Sequence, residues 1–149
     1  MSHSRYLQTR RRFIPAAAPH EVFELLTNPE MHPVIDGSGT VRASSSRSQR
    51  LTLGSEFGMQ MRLGVPYRIS NTVVEFEQDR TIAWRHFSGH RWRYELEPQG
   101  SGTLVSETWD ASRLRHQWML RLLGFTRRTG PNMERTLERL AAQFPGRAE

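Results

Sequence analysis

Cysteine is absent from this 149-residue chain, and so is lysine: every one of its 21 basic side chains is arginine. The lack of cysteine excludes disulfides, thiolate metal sites and a cysteine nucleophile. Long apolar runs are missing too. The opening MSHSRYLQTRRRF carries positive charge with no apolar stretch behind it, so no secretory leader is expected. No later run approaches the ~20 residues of a membrane-crossing helix. The expectation is a cytoplasmic protein without membrane insertion. Internal repeats and linker-like tracts are also lacking, so residues 1–149 read as one domain. A chain of this size buries roughly two thirds of its unfolded surface around one core.

Acids are outnumbered: 15 of them leave a formal charge of +6 and a pI near 11.1. Such an excess raises the question of nucleic acid. Nucleic-acid binders gather their charge into a stripe, often with stacking aromatics. Here Arg10, Arg11 and Arg12 form the only run of three, and apart from Arg5 the others are scattered from Arg42 to Arg147, mostly within reach of acids. The basic surface is read as solvated, and the replacement of lysine by arginine as a GC-rich coding bias. Nucleic acid is not expected as a partner. Binding of nucleic acid or of an acidic protein is kept as a lesser alternative.

The periodicity of the apolar residues supplies the architecture. Tyr6–Ile14 reads as a strand stopped by Pro15, and Val22, Phe23, Leu25 and Leu26 form a helical stripe that ends at Asn28-Pro29. Asp36-Gly37-Ser38-Gly39 is a turn, and Ala43–Ser48 reads as an exposed loop. From Leu51 the period becomes two. Phe57, Met59, Met61 and Leu63 alternate with polar residues until Gly64-Val65-Pro66. Strands follow over 67–77, 81–87, 90–97 and 103–110, separated by tight turns. From Ser112, a candidate N-cap, the period is helical again. Leu114, Trp118, Met119, Leu122 and Leu123 make one apolar face, and Met133, Leu137, Leu140 and Phe144 another. Gly124, Gly130 and Pro131 interrupt the pattern, and Pro131 suits the first turn of a new helix better than the interior of an old one, which predicts a bent or broken helix in two pieces. Successive strands joined by short turns, closed by one long helix, predict an α+β fold. In it a curved antiparallel sheet of six to seven strands wraps a C-terminal helix.

Several segments together carry a family resemblance. They are Pro19-His20-Glu21-Val22-Phe23-Glu24-Leu25-Leu26, Asn28-Pro29-Glu30, Val73-Val74-Glu75-Phe76-Glu77, Ile82-Ala83-Trp84-Arg85, Gly102-Thr103-Leu104-Val105 and Glu107-Thr108-Trp109. The chain resembles the START and birch-pollen-allergen-like superfamily (SRPBCC), and within it the bacterial polyketide cyclase/dehydrase group, from about Arg5 to Phe144. The resemblance implies a helix-grip fold and a lipid, polyketide or aromatic ligand held between sheet and helix. The stretch from His32 to Val41 lacks the tryptophan common in that neighbourhood and is similar to a subgroup of actinobacterial proteins with no assigned reaction. No catalytic residue is carried over.

Candidate site residues follow from the alternation. If Met59 and Met61 share a face with His90, Trp92 and Tyr94, that face is apolar with polar tips, as small-molecule sites are. The same side chains also describe a filled core. Trp118 is expected to add to the apolar wall, and His32 and Asp36 to offer polar contacts near the mouth. An imidazole beside a carboxylate is a general base in waiting, so His90, His86 and Asp110 are the catalytic candidates if the pocket turns a substrate over. Structural roles for the same histidines are the competing reading. Arg68, Arg85 and Arg93 occupy strand positions from which one could turn inward to a ligand carboxylate. No metal or cofactor is expected: His3 and His20 sit in N-terminal segments and no HExxH-type pair exists. Gly37-Ser38-Gly39 lacks the context of a P-loop or of a nucleophile elbow. A homodimer is compatible with the pattern.

Overall fold

The computed structural model describes residues 5–38, 41–44 and 49–145. Its elements run β1 (Leu7–Ile14), α1 (Pro19–Leu26), a 3-10 turn (Pro29–Met31) passing into α2 (His32–Ile35), then β2 (Val41–Ser44) and β3 (Glu56–Leu63). After these come β4 (Val65–Glu77), β5 (Thr81–His86), β6 (Arg91–Gln99), β7 (Gly102–Asp110), α3 (Gln117–Leu122) and α4 (Phe125–Ala142). The seven strands form one antiparallel sheet in the order β1-β7-β6-β5-β4-β3-β2. From β2 to β7 it is a meander of neighbours. Only β1 reaches across the chain, pairing Leu7 with Asp110 and Ile14 with Thr103. A register shift between Val73 and Glu75 adds a bulge to β4, the kind of irregularity that bends a sheet into a trough.

The two faces separate as the pleat requires. Trp92, Tyr94 and Leu96 of β6 and Val105, Glu107 and Trp109 of β7 point into the trough. Arg93 points out, where its guanidinium grips Glu75 at 2.7 and 3.1 Å. The core forms where α1 and the C-terminal half of α4 lie on the sheet: Ile14, Val22, Phe23, Leu26, Ile82, Leu96, Val105, Leu137 and Leu140 are buried together. This is the α+β helix-grip architecture.

Four local expectations are corrected. The Ala43–Ser48 loop begins later than supposed, because Ala43 and Ser44 belong to β2 and pair with β3; residues 45–48 lie outside the described residues. The turn after β3 is confined to Gly64, since Val65 already pairs with Leu63. Ser112 caps no helix: its hydroxyl donates to Asp110 at 2.5 Å, and α3 starts only at Gln117. The C-terminal helix is in two pieces, but the joint is Gly124, in left-handed conformation (φ 80), while Pro131 lies within α4. Pro131 is exposed and, where a helix interior normally hydrogen-bonds every N–H, it has none to contribute.

Candidate functional site

Helix α4 packs on the sheet through Leu137 and Leu140 in the main core and through Met133 against Trp109 and Ala111, leaving room between helix and sheet. Between them is a space of about 780 Å³. Its sheet wall is built from inward positions of consecutive strands: Phe57, Met59 and Met61 of β3, Ile69 and Asn71 of β4, Trp84 and His86 of β5, Trp92 and Tyr94 of β6, and Glu107 of β7. The opposite wall is α4, through Phe125, Thr129, Met133 and Thr136, with arginines 127, 128 and 135 along it. The loop after α2 closes one side. Asp36 holds that loop: its carboxylate accepts from Ser38 N–H at 3.1 Å, Ser38 Oγ at 2.8 Å and Val41 N–H at 3.0 Å. The loop is clasped to α4 in turn, since Gly37 N–H donates to Thr136 Oγ1 at 2.9 Å and Arg135 Nε to Gly37 O at 2.9 Å.

Glu107 is the most unusual group in this space. It is 3% exposed; Oε2 accepts from the Tyr94 hydroxyl at 2.9 Å, and Oε1 has no partner. Burial pushes its pKa up to about 8, against the Tyr94 hydrogen bond and with help from the charge of Asp36. At neutral pH the group is therefore a protonated acid that offers a donor. Burial and the adjacent Glu107 also hold the Tyr94 phenol well above its ordinary range.

The histidines lie elsewhere around the space. His32 stacks on Trp84, with ring centroids 4.8 Å apart, and meets Phe57 edge-on. Its Nε2–H donates to the Leu26 carbonyl at 2.9 Å, and burial drops its pKa to about 4. His86 and His90 stack face to face at 4.5 Å across the β5–β6 turn, with Ser88 Oγ 2.7 Å from one Nδ1 and 3.3 Å from the other. Burial lowers their pKa values to about 4 and about 3, the latter helped by the neighbouring imidazole. Both are neutral rings near physiological pH.

Of the residues singled out from sequence, His32, Asp36, Met59, Met61, His86, His90, Trp92 and Tyr94 come together around this space. Two do not. Trp118 is largely solvent-exposed on α3, because Leu120 takes the inward position there. Asp110 leaves the constellation by strand parity: Glu107 and Trp109 point inward, so Asp110 faces the convex side, where it binds Ser112 and lies near Arg93. Arg68 and Arg85 are exposed and Arg93 is turned outward, so none of the three faces the space. The arginines that do so come from α4, together with Asn71, Thr129 and Thr136. Glu107 had a readable signal: an acid between Val105 and Trp109 in the inward register of a strand.

Among the described residues the grouping with metal-ligand potential is His20, Glu24 and Asp79, far from this space on the surface. Its members already bind one another and an arginine: His20 Nδ1 lies 3.0 Å from Asp79, and Glu24 takes Arg50 at 3.0 Å.

The sheet, the helix laid across it and the space between them define a protein of the helix-grip class. Over residues 8–145 the chain matches, and belongs to, the family described as polyketide cyclase / dehydrase and lipid transport. It is 36% identical over 145 residues to the uncharacterized protein Rv0088 of Mycobacterium tuberculosis (strain ATCC 25618 / H37Rv), covering 92% of this chain. The chain spans 65% of the length of that relative. Among solved structures it is similar to NE0264 from Nitrosomonas europaea, with a TM-score of 0.70, 17% identity and 95% of each chain covered. It is also similar to the di-domain ARO/CYC StfQ from the steffimycin biosynthetic pathway. That match has a TM-score of 0.67 and 13% identity, and covers 93% of this chain and 50% of the other. Among the described residues no helix is long and apolar enough to cross a membrane.

Proposed function

We propose that the protein binds a hydrophobic, oxygen-bearing small molecule, a lipid, polyketide or aromatic compound, between the sheet and the N-terminal half of α4. The observation that carries this reading is the space of about 780 Å³ walled by Phe57, Met59, Trp84 and Trp92. A volume of several hundred Å³ with apolar walls and a few convergent polar groups is the usual form of such a site. Glu107 gives the ligand its polarity. A neutral carboxyl in an apolar wall donates to a carbonyl or hydroxyl oxygen of the ligand.

Native mass spectrometry of the purified protein, followed by denaturing extraction, tests the reading. A copurifying apolar molecule, or saturable binding of a fluorescent naphthyl ketone, is the expected result. Ile69→Trp, which fills the space from β4, should abolish either signal. An empty protein that also ignores the ketone would refute it.

A second reading, turnover of the bound molecule, is favoured by the same carboxyl: a group titrating near 8 is suited to give or take a proton at working pH. In that reading Glu107 takes the acid/base role for which the sequence nominated His90 and His86. Glu107→Gln separates the two, since the amide keeps the hydrogen bond and binding but cannot exchange the proton.

A further inference from the structure

Helix α3 turns most of its large apolar side chains away from the protein. Leu120 faces the space beneath. At 3.6 residues per turn, Trp118, Leu122 and Met119 then fall within an arc of about 100° turned away from it, with Leu123 exposed just past the end of the helix. They are 61%, 78%, 46% and 58% exposed. Single exposed apolar residues are ordinary, but a contiguous group marks a contact surface. Phe87, 71% exposed at the tip of the β5–β6 turn, lines the same space as Phe125, Arg127 and Arg128.

The charge around this patch has one sign. Between Asp110 and Glu134 there is no acid, while Arg113, Arg115, Arg121, Arg127 and Arg128 are all exposed. Several arginines elsewhere do meet acids, Arg10 at Glu134, Arg50 at Glu24, Arg91 and Arg93 at Glu75.

We propose that α3, the β5–β6 turn and their flanking arginines dock the protein on an anionic lipid surface, with the opening of the internal space toward the lipid. A second copy of the chain is a poor occupant, because self-association through this face brings like charges together. A nucleic-acid backbone would take the arginines and leave four large apolar side chains in water. An anionic bilayer takes both: headgroup phosphates accept from the arginines, and the tryptophan and leucines enter the headgroup boundary. The contact is peripheral, since α3 has six residues. It goes beyond the ligand reading and stands whether or not the space holds a ligand.

The test is cosedimentation of the intact protein with vesicles of equal parts phosphatidylcholine and phosphatidylglycerol, beside vesicles of phosphatidylcholine alone. Binding should be confined largely to the anionic vesicles and should weaken with salt. Leu122→Ser/Leu123→Ser, checked by circular dichroism, should reduce it by roughly tenfold or more, as expected when two leucines no longer bury. Brominated lipid should quench tryptophan emission in the wild type and not in Trp118→Phe. No sedimentation with anionic vesicles at low salt overturns the proposal, as does undiminished binding by the serine variant. So does a dimer, seen by light scattering, that the serine variant dissociates while the wild type ignores vesicles. Duplex DNA binding without vesicle binding would assign the arginines to nucleic acid instead.

Discussion

At the scale of single residues the energetic tension lies at Glu107. Its unfolded carboxyl ionises near 4.5 and its folded one near 8, so folding favours the protonated form and stability is lost as pH rises between those values. Glu107→Gln removes that loss while keeping size and a donor. Chemical denaturation should find the variant and the wild type similar at pH 5, and the variant more stable at pH 9 by on the order of a few kcal/mol. Equal behaviour at pH 9 would mean that the carboxyl is not confined as described. His32 is the complementary case, a polar ring inserted between Trp84 and Phe57 for one hydrogen bond. His32→Phe keeps the stacking but leaves the Leu26 carbonyl unpaired, at a cost of about 1–3 kcal/mol in the same assay. Neither role was available from composition. The sequence drew attention to histidine because histidine titrates near neutrality, yet buried His32 and His90 and partly buried His86 are pushed out of that range and the carboxylic acid is pushed into it.

At the scale of elements the strands were the legible part, because period two with one buried face survives in 56–63 and 90–97 without help from distant residues. The helix break was legible only as one of three positions, Gly124, Gly130 or Pro131. Pro131 was the stronger local signal, but the tertiary contacts of α4 carry the helix through it, and the chain bends at Gly124. Strand parity explains the site errors too: whether Asp110 faces in or out depends on register with β6, which no single strand reveals. The α2–β2 loop shows how little room the elements leave. A side-chain carbon at Gly37 would collide with the backbone of Asn132 and Thr136 in α4. Gly37→Ala should therefore push the loop off the helix, weaken the Thr136 and Arg135 bonds, and lower the melting temperature by several degrees. Thermal melts of Gly37→Ala beside Gly54→Ala check this, since Gly54 has open space around it and its strain is confined to its own backbone.

For the whole molecule the buried titratable groups act in opposite directions. His32, His86 and His90 have lowered values, so the stability they leave intact above the ordinary histidine value of 6.5 is lost as pH falls toward 4 and 3. Glu107 contributes the opposite slope from 4.5 to 8. Three groups outweigh one on the acid side and one acts alone on the alkaline side, so stability should peak near pH 6.5. A denaturation series across pH measures this, and a plateau from pH 5 to 9 would contradict the set. The pairing of β1 with β7 bears on a different matter, the order of events during synthesis. Strands β3 to β7 each meet a neighbour made just before, but Leu7–Ile14 must wait for Gly102–Asp110. On a ribosome emitting several residues each second, that delay lasts seconds, during which Phe13 and Ile14 have no mate, and α4, the second wall of the trough, is made later still. The compartment between sheet and helix is thus among the last features to be completed, and any molecule enclosed in it is acquired after translation of this segment has ended.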